Sequence, residues 1–248
     1  MTALLLDIGN SRCKWGLWRD GAITDSGALS HEELATEASW QFAKDADRVI
    51  ACNVAGAGVA ERVRTALEST GLSDIEFVKT TAEHVGVHCA YDDPTRLGVD
   101  RWVAAIAVSR CDPQPAMVVD AGTAMTVDSV VDGTQHLGGY IVPGFRLMQK
   151  TLMSGTADIV VDDPQAPSTA FGDTTSDAVR NGALAALEGT VVRALRELET
   201  VTGVAVDLSH CWFSGGDGEM LAAALGAPEQ FDPHLVLKGL AIHAELVT

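Results

Sequence analysis

The feature of this sequence that most constrains its fold is a short pattern that occurs twice. In the first copy, apolar residues 3–6 end at Asp7, and strand-like residues 13–18 follow the turn Ile8-Gly9-Asn10-Ser11. Two such segments joined by a glycine-containing turn predict a β-hairpin. Asp7 is then expected where the first strand meets the turn.

The second copy has the same order of elements. Apolar residues 116–119 end at Asp120, and strand-like residues 125–131 follow the turn Ala121-Gly122-Thr123-Ala124. Asp7 and Asp120 are 113 positions apart, a separation typical of a domain rather than of a solenoid repeat. The sequence therefore predicts two duplicated α/β lobes.

The limits of the lobes and their remaining elements follow from prolines and periodicity. Residues 110–115 contain two prolines, so we place the junction there, with lobes at 1–115 and 116–248. Apolar residues at spacings of three and four predict a long helix from about 175 to 201. The other predicted helices are 31–46, 57–70 and 234–247, the other predicted strands are 49–54 and 75–78, and a long loop is expected from 155 to 172.

The charge of the chain limits its partners. There are 17 lysines and arginines against 34 aspartates and glutamates, which gives a net charge of −17. A field of this sign repels nucleic acid and anionic membrane surfaces, so neither is an expected partner. Any bound phosphate would depend on backbone amides, a metal ion or a few local cations.

The cysteines and the first residues predict a cytoplasmic location. The five cysteines lack the paired spacing of a zinc site or a disulfide framework, which favours a reducing compartment. The start, MTALLLDIGN, lacks the basic flank and the long apolar run of a signal peptide. No apolar stretch approaches the roughly 18 residues that would be needed to span a bilayer.

Each aspartate-turn pattern has the residue types of a nucleotide-binding element. Glycine lets the backbone approach phosphates, the neighbouring groups donate hydrogen bonds, and the carboxylate can hold magnesium or its water ligands. A single copy is more typical of an Asx turn between strands, but two copies in two lobes could hold one triphosphate from both sides. Lys14 could add a positive charge to that site, although an exposed strand lysine is the simpler interpretation.

A second candidate site precedes the apolar residues 103–108. Asp100 and Arg101 lie at the predicted start of that helix, after Tyr91 and Gly98. Asp100 could be an acid favoured by the helix dipole, with Arg101 its solvated neighbour. An adjacent acid and arginine are also what a kinase uses to accept a hydroxyl proton and to bind an acidic substrate group. The local sequence does not distinguish these interpretations.

Three further features have simpler interpretations. Thr174 or Thr175 is expected to cap the long helix. The glycine-rich segment 214–218 is either a plain strand-to-helix turn or a place where backbone approaches a flat ring. His84 and His88 are four residues apart but have no third ligand, so we interpret them as ordinary side chains.

Together these motifs resemble those of the type III pantothenate kinase family, within the actin/Hsp70/sugar-kinase superfamily, along nearly the whole chain. The matching residues are Asp7 to Ser11 with Lys14-Trp15, Gly98 to Arg101, Asp120 to Ala124 with Thr126, and Gly138 to Ile141 with Pro143-Gly144. The resemblance implies two ribonuclease H-like lobes of the actin-like ATPase fold, with mixed sheets flanked by helices. It also implies phosphorylation of pantothenate by ATP, the first step of coenzyme A biosynthesis.

The resemblance implies roles for individual residues as well. Asp100 would be the general base, and the implied pantothenate contacts are Tyr91, Gly98, Val99, Asp100, Arg101 and Thr175. The implied ATP contacts are Asp7, Ile8, Gly9, Asn10, Ser11, Arg12, Cys13, Lys14 and Thr123. Asp120 would hold a potassium or ammonium ion, and Asp7 is a candidate for the magnesium ion that accompanies ATP. A homodimer is implied, paired through the long helix of the second lobe.

Two other functions stay open at this point. The same scaffold supports other phosphotransferases, such as exopolyphosphatase-like and acetate- or sugar-kinase-like enzymes. A duplicated nucleotide-binding fold could also act as an ATP-gated regulator without turnover. The segment from Gly98 to Arg101, preceded by Tyr91, favours pantothenate as the acceptor. The presence of Asp7, Asp100 and Asp120 together favours an enzyme over a regulator.

Overall fold

The computed structural model describes residues 1–72, 74–111, 113–156 and 165–244. The chain forms two compact units. We call them unit 1, which contains Met1–Arg110 and the segment from His234 onward, and unit 2, which contains Cys111–Pro233. The change from unit 1 to unit 2 falls beside the junction expected at residues 110–115.

Unit 1 contains a mixed five-stranded sheet of order β3-β2-β1-β4-β5. Its strands are β1 (Thr2–Ile8), β2 (Arg12–Arg19), β3 (Ala22–Ser30), β4 (Arg48–Asn53) and β5 (Ile75–Phe77). The first three are antiparallel, and β4 and β5 run parallel to β1. Every residue of β1 is buried, which explains its unbroken apolar run. The predicted first hairpin is confirmed.

Helices and a short hairpin complete most of unit 1. They are α1 (Ala57–Glu68), the hairpin strands β6 (Glu83–His84) and β7 (Val87–His88), and α2 (Val99–Val108). On one face of the sheet, α1 packs against the large buried side chains of β1 and β2 and against Trp40. All residues of α2 from Arg101 to Val108 are buried, so this helix is part of the core of unit 1.

The predicted α-helix over residues 31–46 is wrong in type. The segment forms two 3₁₀ helices, Glu33–Ala35 and Glu37–Asp45, separated by Thr36 in an extended conformation. Trp40 is fully buried and donates a hydrogen bond of 3.1 Å from its indole nitrogen to the carbonyl of Leu34 across this break. Burial of the indole ring thus takes precedence over the helical periodicity of the segment.

Unit 2 repeats the strand arrangement of unit 1. Its strands are β8 (Ala116–Ala121), β9 (Ala124–Val131), β10 (Gln135–Pro143) and β11 (Cys211–Ser214). The first three form an antiparallel meander, and β11 runs parallel to β8 on its other side. The order β10-β9-β8-β11 therefore matches β3-β2-β1-β4 of unit 1, which confirms the duplicated lobes with mixed sheets.

The helices of unit 2 are α3 (Phe145–Gly155), α4 (Thr175–Thr202) and α5 (Gly218–Leu225). The predicted long helix is confirmed: the Thr174 hydroxyl accepts a hydrogen bond from the Asp177 amide, and Gly203, with φ of 69°, ends the helix. Of the predicted loop over 155–172, residues 157–164 lie outside the described residues. Within the described ranges, no helix combines enough length and apolar character to cross a bilayer.

The last helix, α6 (Leu235–His243), belongs to unit 1. It packs so closely on α2 that a Cβ atom at Gly239 would overlap the carbonyl of Val103, and Leu237 lies against Gly16 of β2. The second lobe, expected to include everything from 116 to 248, therefore ends at Pro233. Periodicity predicts this helix but does not reveal which sheet its apolar face covers. The last residues predicted for it, 245–247, lie outside the described residues.

Candidate active site

Asp7 is the penultimate residue of β1 and is 8% exposed. It is paired in register with Lys14 on β2 and with Cys52 on β4. The Cys52 thiol donates a hydrogen bond of 3.5 Å to Oδ1 of Asp7. The carboxylate is thus held at the end of the central strand, beside the turn that follows it.

The turn after β1 lies at the surface of unit 1. The Gly9 amide donates to the carbonyl of Arg12 at 3.0 Å, and Asn10, Ser11 and Arg12 are exposed. The His31 ring donates through Nε2 to the Gly9 carbonyl at 2.9 Å, which fixes the turn from the neighbouring segment. Glycine and exposed backbone in a tight turn are suited to phosphate oxygens. Sequence reasoning missed His31, because no local pattern connects it to a turn 22 residues away.

Two residues expected in the phosphate loop have their side chains in the core instead. Ile8 and Cys13 are both 0% exposed. Burial raises the pKa of the Cys13 thiol well above its usual range, and the nearby Asp7 carboxylate raises it further. Only the backbone of these two residues can contribute to a phosphate site.

Asp100 lies in the first turn of α2, where Gly98 is the N-cap. Its Oδ1 accepts a hydrogen bond of 2.8 Å from the Arg101 amide. A Cβ atom at Gly98 would come within 2.7 Å of this carboxylate oxygen, so only glycine at position 98 avoids a steric clash with the Asp100 side chain. The position is the one expected from helix-dipole effects.

The Cys52 thiol connects the two carboxylates of unit 1. Its pKa is raised by burial first, and then by the negative charges of Asp7 and Asp100. Both acids are therefore close enough to act on one sulfur atom. Sequence reasoning did not single out Cys52, since its place beside Asp7 results from the parallel pairing of β4 with β1.

Arg101 is a buried cation that is paired with an aromatic residue. Its side chain is 6% exposed, and Nη1 donates to the Tyr91 hydroxyl at 3.1 Å. The guanidinium carbon lies 6.0 Å from the centre of the Tyr91 ring. The structure therefore brings together Tyr91, Arg101 and Asp100, three of the residues predicted to contact the acceptor. Thr175, another of them, is the exposed first residue of α4 in unit 2.

In unit 2, Asp120 occupies the position that Asp7 has in unit 1. It is the penultimate residue of β8 and is paired with Thr126 on β9 and with Ser214 on β11. Its Oδ1 is buried and, within the described residues, has no hydrogen-bond partner. The same is true of the Ser214 hydroxyl, in a side chain that is 0% exposed.

The turn that follows Asp120 is shorter than its counterpart in unit 1. Gly122 and Thr123 alone separate β8 from β9, and the Gly122 amide donates to the carbonyl of Ala124 at 3.0 Å. The Gly144 amide donates to the Thr123 carbonyl at 2.9 Å, and a Cβ atom at Gly144 would overlap the Gly122 carbonyl. Thr123 is exposed at the tip of this turn.

The glycine-rich segment after β11 packs against the same turn. Gly215 has φ of 91°, and a Cβ atom there would overlap the backbone of Ala121. The Asp217 amide donates to the Ala121 carbonyl at 2.9 Å, and Arg146 lies 3.8 Å from the Asp217 carboxylate. The ends of β8 and β11 are thus held close together through their backbones.

The described residues contain no cluster of three or more histidine, cysteine or acidic side chains that could hold a metal ion by itself. Magnesium usually keeps several waters and is bound through one or two carboxylates and the phosphates of a nucleotide, so Asp7 alone fits such an ion. His84 and His88 lie on the β6–β7 hairpin, and His84 instead contacts the carbonyl of His243 at 2.7 Å.

Comparison with known proteins identifies the family. Residues 3–197 match the profile of type III pantothenate kinases. A type III pantothenate kinase of Aromatoleum aromaticum is 38% identical over 244 residues, which cover 97% of each chain.

Solved structures give the same fold. A Baf family protein from Campylobacter jejuni has a TM-score of 0.61 at 22% identity and covers 98% of each chain. MreB5 of Spiroplasma citri, bound to ADP, has a TM-score of 0.53 at 10% identity and covers 99% of this chain and 96% of its own. These two likenesses show the fold alone. Because the family profile matches residues 3–197 and the relative from Aromatoleum aromaticum is 38% identical over 97% of each chain, the chain belongs to the type III pantothenate kinase family.

Proposed function

We propose that this protein transfers the γ-phosphoryl group of ATP to the primary hydroxyl of pantothenate, the first step of coenzyme A biosynthesis. The observation that carries the proposal is the cluster at the start of α2, where Asp100 adjoins a buried Arg101 that is hydrogen-bonded to Tyr91. Pantothenate has a hydroxyl to be deprotonated and a carboxylate to be bound. The cluster offers one group for each.

Asp100 is proposed as the general base. Asp100 lies at the start of α2, close enough to Cys52 to act on that thiol together with Asp7. A carboxylate at this place can accept a hydroxyl proton as the phosphoryl group departs from ADP. The Arg101 amide, which donates to Asp100, holds the carboxylate in place.

Arg101 is proposed to bind the pantothenate carboxylate. The guanidinium is shielded from water, so its attraction to an anion is screened little. The hydrogen bond to Tyr91 restricts the guanidinium to one orientation before the substrate arrives. Gly98, Val99 and Thr175 are proposed as further substrate contacts.

The phosphates are proposed to contact the turn from Asp7 to Lys14 and, in unit 2, Thr123. Support comes from the exposed, glycine-containing first turn and from the shared position of Asp7 and Asp120 at the ends of equivalent strands. Asp7 would hold magnesium, which shields phosphate charge when bound. That both turns bind a single nucleotide stays a prediction.

A monovalent cation, potassium or ammonium, is proposed at Asp120. The unpartnered buried Oδ1 of this residue fits a bound cation, because an ionised carboxylate oxygen is costly to bury without compensation. A cation at this place would neutralise the carboxylate beside the short turn of unit 2.

The homodimer is proposed on the distribution of apolar surface. Among the described residues, every exposed large apolar side chain except Met1 lies in unit 2, including Ile141 on β10 and Val192 and Val201 on α4. Val192 and Val201 thus place exposed apolar side chains on the helix through which two copies are proposed to pair. A cytoplasmic location is proposed as well, since all five cysteines are free thiols.

The test is release of ADP from ATP and magnesium with pantothenate, compared with a panel of other alcohols and with acetate. We expect turnover that requires pantothenate. Turnover of another acceptor in preference to pantothenate would contradict the proposed substrate. ATP binding without turnover of any acceptor would instead favour a regulator.

A further inference from the structure

The two units contain equivalent pairs of residues that behave differently. Cys52 and Ser214 each lie on the strand that runs parallel to the aspartate-bearing strand, in register with Asp7 and Asp120 respectively. In unit 1 the thiol donates its hydrogen to the carboxylate. In unit 2 the hydroxyl is the better donor of the two, yet it makes no hydrogen bond to Asp120 or to any other described residue.

Both oxygens of the unit 2 pair are therefore left without a partner in the described chain. Oγ of Ser214 and Oδ1 of Asp120 are buried, and their strands place the two side chains on the same face of the sheet. Buried polar atoms are nearly always satisfied, so each such atom calls for an explanation. A ligand that takes an electron pair from each oxygen explains why the serine does not donate to the carboxylate.

The charge balance favours a cation over a water molecule. Asp120 has no ion pair among the described residues. Arg146, in the same unit, pairs with Asp217 instead. A water could satisfy the hydrogen-bonding capacity of the two oxygens but would leave the negative charge uncompensated. One carboxylate together with neutral hydroxyls balances a single positive charge, and oxygen ligands suit hard cations.

We propose that Ser214 is a ligand of the monovalent cation, binding through Oγ beside Oδ1 of Asp120. The inference rests on the cation included in the proposed function, and it adds a ligand from β11, the strand that runs parallel to β8. Thr126, paired with Asp120 on β9, places a further hydroxyl in the same row of three strands. The cation would thereby tie β11, and the glycine-rich turn after it, to the strand that carries Asp120.

Thermal unfolding with a potassium titration tests the assignment. The full-length protein would be unfolded at fixed magnesium and ADP, with tetramethylammonium chloride replacing potassium chloride at constant ionic strength. We expect potassium to raise the unfolding midpoint of the wild-type protein. Ser214→Ala and Ser214→Cys should each require at least about tenfold more potassium, as is typical when support for a metal site is removed.

Two variants serve as controls. Ser214→Thr keeps the hydroxyl and should respond to potassium within about twofold of the wild-type protein, whereas sulfur in Ser214→Cys is a poor ligand for a hard cation. Ser109→Ala removes another buried hydroxyl, one that donates to the Ile106 carbonyl in unit 1, and should leave the potassium response unchanged. If Ser214→Ala does not fold, the nearly isosteric Ser214→Cys supports the same comparison.

Two outcomes would overturn the proposal. One is a half-saturating potassium concentration that is unchanged in both Ser214→Ala and Ser214→Cys. This result would show that Ser214 is not a ligand of the cation. The other is a wild-type protein whose midpoint responds to neither potassium nor ammonium. Pantothenate-dependent ADP release in tetramethylammonium buffer would then show separately whether the proposed kinase activity holds.

Discussion

The Cys52 thiol donates a hydrogen bond of 3.5 Å to Oδ1 of Asp7, with both side chains buried at the end of adjacent parallel strands. Asp100 also acts on this sulfur electrostatically. Cys52 therefore marks the place where the proposed magnesium ligand and the proposed general base come together in unit 1. A neutral thiol there supplies a proton to one carboxylate without adding a third negative charge.

The thiols are expected to react in two classes. Burial raises the pKa values of Cys13 and Cys52, with a further rise from Asp7, and raises the pKa of Cys211 to about 12. Because only a thiolate attacks the reagent, these three should stay unmodified by Ellman's reagent in the native protein, even at pH 9. Cys89 and Cys111, which are partly exposed, should react first.

The measurement is the number of fast-reacting thiols before and after unfolding in guanidinium chloride. Two fast thiols and three slow ones are expected, and mass spectrometry of the modified peptides identifies them. Fast modification of Cys52 in the native protein would contradict the buried contact with Asp7.

Replacement of the proposed base is expected to abolish most turnover. Asp100→Asn keeps the shape of the side chain but cannot accept the hydroxyl proton, so kcat should fall by about 10²–10⁴. The affinity for ATP, measured by calorimetry, should change little. Asp20→Asn is the matched control: Asp20 is an exposed turn residue with φ of 51°, a conformation that asparagine tolerates. Near-normal kcat in Asp100→Asn would show that Asp100 is not the base.

The hairpins and their aspartates could be predicted from the sequence because each is a local pattern of strand, turn and strand. Asp7 and Asp120 both lie where that pattern placed them, at the penultimate position of β1 and β8. The long helix α4 was equally accessible, since its cap and its terminal glycine lie next to the periodic residues.

The residues that the sequence did not reveal depend on contacts between distant segments. Cys52 and Ser214 reach their aspartates only through parallel strand pairing, and His31 reaches Gly9 across the edge of the sheet. The same limitation explains α6, whose apolar face is evident but whose partner, α2, lies more than 120 residues away. A local pattern identifies an element, whereas pairing and packing decide what that element touches.

The buried arginine is expected to act on substrate affinity. Arg101→Lys replaces a guanidinium held by Tyr91 with a point charge that cannot reproduce its geometry. Because a hydrogen bond to a charged group contributes about 1.5–3 kcal/mol, KM for pantothenate should rise about 10- to 100-fold. KM for ATP should change little.

Tyr91→Phe isolates the orienting hydrogen bond. The lost hydrogen bond orients the charged Arg101 guanidinium, but the charge that would bind the substrate stays in place. An indirect cost of about 0.5–1.5 kcal/mol is expected, so KM for pantothenate should rise about 2- to 10-fold, less than in Arg101→Lys. Steady-state kinetics with pantothenate varied at saturating ATP measures both variants. Equal increases in the KM values for ATP and pantothenate would indicate general damage to the protein rather than loss of a specific contact.

In the glycine-rich turn after β11, alanine is expected to be destabilising at Gly215 and tolerated at its neighbour Gly216. Gly215 has φ of 91°, and an added Cβ atom would overlap the backbone of Ala121, whereas a Cβ atom at Gly216 meets nothing within 4 Å. Gly215→Ala must therefore strain the backbone or displace the end of β8, beside Asp120. A left-handed conformation costs a residue with a side chain about 1–3 kcal/mol.

A loss of about 2 kcal/mol corresponds to a fall of about 4–8 °C in the unfolding midpoint for a chain of this size. Gly216→Ala should stay within about 1–2 °C of the wild-type protein, because this position requires neither positive φ nor close packing. Differential scanning calorimetry measures both midpoints, and the KM for ATP reports on the turn itself. Since Gly215 packs on the strand end that carries Asp120, KM for ATP should rise in Gly215→Ala and not in Gly216→Ala. Equal effects of the two substitutions would show that the close contact between Gly215 and Ala121 does not shape the nucleotide side of unit 2.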